Sequence, residues 1–409
     1  PQGFVIVAGD DLVEPIIAFV PGGTEYNDSF DNPLGALVSH DLPNRIMTAR
    51  EEEAQGNGSM SVTRQDLILK AKRKWAILLE DIVPSVADFG LSTISDLRVS
   101  VLIQSRWSQT TESGGSQCYN LFTPNNYPSG CVATAMAQVM RFFQFPTAAV
   151  GTPSYSITVD GVSQIATFLG GNGTGGAYEW NLMDFGPFVS DLNQRQAIGR
   201  LMHDAGASVN MFYTATASGS DTLATADRLK NPYGYSRAVK GLESYNNITS
   251  VNLNRMINPN LDAGYPVILG ITGTSGGHAI VSDGYGYNTL TLYHHLNMGW
   301  SGLDDAWYNL PNIDSSPSFT SVYKAVYNIF TSGSGEIISG RVVDGSGNPL
   351  SGVSVTAVRT GGGSYSDLTD ANGIYAIGKI PSASSYTISA SRTGYTFSSQ
   401  SASTSTSTD

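Results

Sequence analysis

The two cysteines and five histidines of this chain ionise nearest neutral pH, so acyl-transfer chemistry is sought among them first. Cys131 stands in the run Ser129-Gly130-Cys131-Val132-Ala133-Thr134-Ala135-Met136-Ala137-Gln138-Val139-Met140. A thiol in the first turn of a helix meets free backbone N–H groups and the positive end of the helix dipole, and both favour the thiolate. A small buried core thiol explains the same position, and on this stretch alone the two readings stand level. A thiolate that attacks a carbonyl needs a base, and the base needs an orienting partner. His278 is the candidate base. It lies 147 residues downstream, opens a strand, and follows Gly276-Gly277, which admit close approach of another backbone. Asn297, 19 residues further on, offers an amide oxygen to the second imidazole N–H, and Trp300 would shield that bond from water. Gln109, upstream, offers a side-chain N–H that could join the backbone N–H of Cys131 around an oxyanion.

The remaining candidates read as bystanders. His40, His203, His294 and His295 are taken as ordinary turn residues, and Cys118, before Tyr119, as an inert loop thiol. A Cys118–Cys131 disulfide would consume the nucleophile. There is no CxxC and no Cys/His cluster, so neither a structural metal nor an organic cofactor is expected.

Composition narrows the setting. Of 409 residues only 14% are charged, against roughly 25% in a typical soluble chain. Polarity comes instead from Ser, Thr, Asn and 45 glycines, which suits a β-rich, loop-rich extracellular protein. A formal charge of −12 repels phosphate backbones, which argues against nucleic acid as partner. No apolar run approaches the ~18 residues of a membrane span. Pro1–Val7 reads as a strand already under way rather than a leader, so the start is expected to have been trimmed.

Three units must position these groups. Residues 1–95 hold short strands at Gly3–Ala8 and Pro15–Val20 around the acidic turn Gly9-Asp10-Asp11. A short helix over Asn32–Val38, a mobile polar loop at 51–59 and a helix over Gln65–Ile82 follow. Residues 96–331 form the largest unit. There Val132, Met136, Val139 and Phe143 mark one buried face of the cysteine helix, which Pro146 ends, and small alanines let other backbone pack close. Gln196–Ala205 reads as a second helix, and Pro266–Ile271, His278–Asp283 and Thr289–His294 as strands. Early helices followed by an antiparallel sheet give an α+β domain. After a linker at Ser332–Gly335, residues 334–400 carry closely spaced strands with turns at Asp344–Pro349 and Asp370–Gly373, an all-β sandwich. Residues 401–409 are a Ser/Thr tract, read as a linker or disordered tail.

Several segments, in order, carry a resemblance. They are Trp107-Ser108-Gln109, Tyr119-Asn120-Leu121-Phe122-Thr123-Pro124, the Ser129–Met140 run, Tyr178-Glu179-Trp180, Gly277-His278-Ala279 and Asn297-Met298-Gly299-Trp300-Ser301-Gly302. Together they resemble the streptopain family of secreted bacterial cysteine endopeptidases, which have a papain-like fold. The resemblance implies Cys131 as nucleophile, His278 as general base and Gln109 at the oxyanion hole, with Asn297 third. It implies a substrate cleft lined by Gly276, Gly277, Trp300 and Met298. The chain departs from the family at Cys118, where a proline is usual, and at Met298, where tryptophan is common. Gly3–Asp11 with Asp31-Asn32-Pro33-Leu34 is similar to the family's inhibitory propeptide. Ser339–Asp344, Gly352–Val355 and Asp370–Gly373 are similar to carboxypeptidase-regulatory-like, or transthyretin-like, β-sandwiches.

The expectation is therefore a secreted cysteine endopeptidase zymogen acting on protein or peptide substrates, with its own prodomain as intramolecular inhibitor. Two other readings are kept. One retains the fold but makes it another Cys/His amide-bond enzyme, such as a transglutaminase or cell-wall amidase. The other is a catalytically degenerate binding or adhesion protein.

Overall fold

The fold is that of a computed structural model, which describes residues 4–13, 16–20, 29, 38–39, 42–54, 71–72, 75, 94–244 and 247–405. The chain divides into two compact units, residues 1–86 and 87–409. In the first, β1 (Phe4–Val7) pairs antiparallel with β2 (Ile16–Val20). Asp10 fixes the turn that leads between them. One of its carboxylate oxygens accepts the Leu12 N–H at 2.9 Å, and the other accepts Arg50 Nε–H at 2.6 Å from helix α1 (Leu42–Ala54). Residues 51–54, expected in a loop, complete this helix, since Glu and Ala are good helix formers. Of the expected helix Gln65–Ile82, residues 71, 72 and 75 are helical. The rest of it, most of Asn32–Val38, the loop residues 55–59, His40 and residues 84–93 lie outside the described residues.

The second unit opens with β3 (Asp96–Val99) and an extended strip in which Ile103, Ser105 and Trp107 are buried while Gln104 and Arg106 are exposed. That alternation turns one edge of the strip toward helix α2 (Cys131–Phe143). The sequence marks one apolar face on α2, yet every residue from Val132 to Arg141 is buried. The helix is sandwiched between the following helix and the central sheet, and the alanines at 133, 135 and 137 keep both approaches close.

A hairpin of β4 (Ser154–Val159) and β5 (Val162–Thr167) follows, then α3 (Leu192–Ser208), the expected second helix with added residues at each end. The Asp191 side chain caps α3 by accepting the Gln194 N–H. Two short strands, β6 (Phe212–Tyr213) and β7 (Ser218–Gly219), extend the hairpin. Helix α4 (Ala224–Lys230), β8 (Arg237–Gly241) and helix α5 (Ser250–Asp262) lead into the central sheet.

That sheet adds β9 (Val267–Gly273), β10 (Gly276–Asn288), β11 (Thr291–Asn297), β12 (Ala306–Tyr308) and β13 (Ser321–Phe330), in the order β12-β11-β10-β9-β13-β8. The long β10 pairs with β9 over Gly276–Ser282 and with β3 over Tyr285–Tyr287, so β3 takes over β9's place along its second half. Alternation along β10 sends Ala279 and Val281 into the core around α2 and α3, and Ile280 into a second core with α5.

The C-terminal part is two small sheets over their own core. One pairs β14 (Glu336–Arg341) with β17 (Ile374–Ile380). The other runs β16 (Ser364–Leu368), β15 (Ser354–Arg359), β18 (Ser385–Ser391), β19 (Gln400–Ser403). The opening of the Ser/Thr tract is thus an edge strand on β18. Asp344 and Asp370 build the turns by accepting N–H groups two and four residues on. Polar bonds seat this part on the α+β part. Arg237 donates to Glu336 at 2.9 Å, Arg341 to Asp96 at 3.0 Å, Ser339 to Asp262 at 2.5 Å, and Asn372 to the Arg98 carbonyl at 3.1 Å.

Candidate active site

The site is assembled where the start of α2 meets the start of β10. Gly130 is the N-cap of α2, at φ +86°. A Cβ there would sit 2.8 Å from Met211 Sδ and 2.9 Å from the Ser218 carbonyl oxygen, so only glycine fits the turn into Cys131. Ser129 does not cap the helix. Its N–H and hydroxyl both donate to the Gln109 carbonyl, at 2.8 and 3.2 Å, which pins the half-buried Gln109 beside the cysteine turn.

Cys131 is half-buried, and backbone N–H groups of Ala279, Val132 and Cys131 itself favour its thiolate. Burial outweighs them and pushes the thiol up. The helix-start field expected from the sequence is present but is not the larger influence. The Ala279 N–H belongs to the residue after His278, which places the sulfur at the head of β10.

His278 is buried, with its ring stacked on Trp300 at a centroid distance of 4.6 Å and on Phe319 at 5.8 Å. Its Nε2 lies 2.8 Å from the Met298 carbonyl oxygen. A carbonyl only accepts, so Nε2 carries the proton and the neutral ring keeps its lone pair on Nδ1. Burial lowers its pKa to about 4 against the opposing pull of the Met298 bond, so the imidazole is neutral near pH 7.

The expected orienting role of Asn297 is not what the geometry shows. Its Oδ1 accepts Gln138 Nε2–H at 2.8 Å and the Gly299 N–H at 3.1 Å, and its Nδ2 donates to the Ser105 carbonyl at 2.8 Å. The Met298 carbonyl orients the imidazole instead. The Met298 side chain is fully buried in the core beneath the sheet and lines no cleft, because β11 ends there and turns it inward. Trp300 covers the imidazole ring itself rather than an amide bond to it. Gly276 and Gly277 lie exposed as the first two residues of β10, just after the turn from β9, Gly276 at φ +109° with open space where a Cβ would be.

Two side chains that the sequence reading passed over tie these parts together. Gln138, two turns after Cys131, accepts the Ser105 hydroxyl at 3.0 Å and the Trp107 N–H at 3.3 Å while donating to Asn297. The signal was a carboxamide inside an otherwise apolar, alanine-rich helix. Asp305 accepts the Met298 N–H at 2.7 Å. The three described bystander histidines are not turn residues. His203 pairs with Asp204 at 2.8 Å, His295 with Asp283 at 2.6 Å and His294 with Asn258 at 2.7 Å, all buried. Cys118 is buried too, and burial pushes its thiol up to about 12. Among the described residues no group of three or more His, Cys, Asp or Glu could hold a metal.

Fold and site together are those of an α+β domain that sets a helix-start cysteine against the head of a histidine-bearing strand, followed by a β-sandwich. Residues 113–308 match the Peptidase C10 family, which is the streptopain family, and residues 337–408 match the Carboxypeptidase regulatory-like domain. Streptopain of Streptococcus pyogenes is 28% identical over 217 residues, 48% of this chain and 53% of streptopain. The thiol protease/hemagglutinin PrtT of Porphyromonas gingivalis is 29% identical over 183 residues, 44% of this chain and 20% of PrtT. The chain therefore spans about half the length of the curated streptopain it matches, and less of PrtT. Active interpain A of Prevotella intermedia aligns with 58% of this chain and 96% of its own, at 26% identity and a TM-score of 0.48. A prointerpain A fragment from the same organism covers 80% and 93%, at 24% and 0.46.

Proposed function

We propose that the chain is the zymogen of a secreted bacterial cysteine endopeptidase. The observation that carries this reading is the meeting of Cys131, at a helix start and against the Ala279 N–H, with a neutral His278 whose Nε2–H is committed to Met298. Nδ1 of His278 is then the lone pair that takes the thiol proton as sulfur attacks a peptide carbonyl. The Cys131 N–H and the Gln109 side chain are assigned to the oxyanion, on the strength of the pinned Gln109 backbone. The imidazolium returns its proton to the leaving amine. Water, deprotonated by the same nitrogen, then releases the acyl group from sulfur. No step calls on a cofactor.

Residues 1–95 are assigned as inhibitory prodomain, 96–331 as protease and 334–400 as sandwich. A tethered inhibitor acts at an effective concentration of roughly millimolar, so the uncut chain is expected to be poorly active. Among the described residues no helix is long and apolar enough to cross a membrane, in keeping with an exported protein. The reading is tested with casein under reducing conditions, with and without a thiol-directed epoxide, alongside intact mass over time for wild type and Cys131→Ser. Epoxide-sensitive hydrolysis, with wild type shortening from its N-terminus and the mutant staying whole, is expected. Amine transfer or peptidoglycan release without casein hydrolysis would replace the reading with another amide-bond enzyme. Full activity in uncut protein would remove the inhibitory role of residues 1–95.

A further inference from the structure

The peptide that orients the imidazole is itself held from behind. The Met298 carbonyl takes the His278 Nε2–H at 2.8 Å, the Met298 N–H goes to Asp305 Oδ1 at 2.7 Å, and the Gly299 N–H goes to Asn297 Oδ1 at 3.1 Å. Both peptide groups flanking Met298 are thereby fixed, so the direction of its carbonyl is fixed. Asp305 reaches this position because β12 pairs with β11 in the register Leu296↔Ala306, which sets the residue before Ala306 beside the residues that follow Leu296. A carboxyl in this place is costly. Burial is the main influence on it and pushes it up to about 7, with Asp283 adding to the rise and His295 and Arg106 opposing it. A neutral apolar residue would fill the site at lower cost to stability but would leave the Met298 N–H without an acceptor.

We propose that Asp305 is a positioning residue for His278, acting through the Met298 peptide. The chain of contacts runs from carboxyl to N–H, through one residue of backbone, from carbonyl to Nε2–H. It fixes the imidazole tautomer and the aim of Nδ1. The idea rests on His278 being the general base of the proposed peptidase.

The test uses the full chain, comparing wild type, Asp305→Ala and Asp305→Asn. Asn keeps an acceptor oxygen for the Met298 N–H, whereas Ala removes it. Three quantities are read: kcat and KM on a quenched casein-derived peptide, the melting temperature, and the His278 Nε2–H resonance in protein carrying 15N-labelled histidine. Asp305→Ala is expected to lower kcat on the order of 10²-fold, the scale of a small misplacement of a catalytic group, with KM within about 3-fold. The Nε2–H resonance should move or broaden in that variant, and Asn should restore kcat to within several-fold of wild type. A fall in melting temperature alone, with kcat and the resonance unchanged, would overturn the proposal, as would Asn being as damaging as Ala. Should Asp305→Ala fail to fold, Asp305→Asn decides alone: wild-type-like kcat and resonance support the bond, and loss of both rejects it. If wild type hydrolyses nothing yet the resonance still depends on Asp305, the peptidase reading fails while the positioning role stands.

Discussion

At the scale of single residues, the two thiols separate cleanly. Cys131 sits half-buried at a helix start against backbone donors, and Cys118 is sealed in the core with its thiol pushed up to about 12. Cys131→Ser should therefore abolish hydrolysis and leave the fold intact by circular dichroism, while Cys118→Ser should stay within a few-fold in turnover. Loss of activity in Cys118→Ser would mean the wrong sulfur was chosen. The pH dependence follows from the same burial. His278 is held down to about 4 from an ordinary 6.5, so its base form persists until pH falls through about 4. Cys131 is pushed upward, so its thiolate fraction grows only on the alkaline side. Alkylation of Cys131 by iodoacetamide should accordingly accelerate from pH 6 to pH 9. A rate already flat across that range would reveal a thiolate–imidazolium pair and contradict the neutral resting state. Asn297 shows where residue-level reading stops. Its type and spacing suit an imidazole partner, but which way an amide turns is decided by tertiary partners, here Gln138 and Ser105, that sequence spacing does not encode.

At the scale of elements, the site is three segments bound by one buried amide pair: the strip 105–109, helix α2 and the loop after β11. Gln138 donates to Asn297 and accepts from Ser105 and Trp107, while Asn297 donates to the Ser105 carbonyl and accepts from Gly299, all at 2.8 to 3.3 Å. Removing either member leaves buried donors and acceptors unmade, so Gln138→Ala and Asn297→Ala should each destabilise by about 1–3 kcal/mol. In a double-mutant cycle they should couple by about 0.5–3 kcal/mol, measured by urea unfolding. Strict additivity would show that the pair is not a unit. Helix α2 and the strand carrying His278 were legible because periodicity and the glycine–cysteine turn are local signals, whereas the strand read over Thr289–His294 runs on to Asn297. Helix α5 was not legible. It is rich in asparagine, contains Pro259 and buries only Leu253, Ile257, Asn260 and Leu261, so tertiary packing overrides weak propensity there. The burial of α2 on all sides was legible only in part: the alanines mark close approach of another backbone, but not that α2 is packed from more than one side.

At the scale of the whole molecule, the linker read at 332–335 leads into a sandwich that is seated on the α+β part by charged pairs. Arg237 and Glu336 are both buried, and Glu336 also accepts from Asn328 and Ser382. Such pairs cannot be inferred from spacing, because Arg237 and Glu336 lie 99 residues apart in the chain and Asp96 and Arg341 lie 245 apart. Arg237→Ala should cost on the order of 3 kcal/mol by removing the counter-charge that Arg237 gives the buried Glu336 carboxylate. It should also split a single calorimetric transition of residues 87–409 into two, and an unchanged single transition would show that the pair does not couple the parts. One more outcome belongs to β3. The segment is hydrogen-bonded to β10, Ser95 is bonded to Tyr287 and Thr289, and Asp96 is clasped by Arg341. A tug on the backbone just ahead of Ser95 thus has two anchorages, the central sheet and the sandwich, and the tension is shared between them. In optical tweezers, the force needed to peel β3 away should drop when Arg341 is replaced by alanine. The sandwich would then act as a mooring for the first strand of the central sheet.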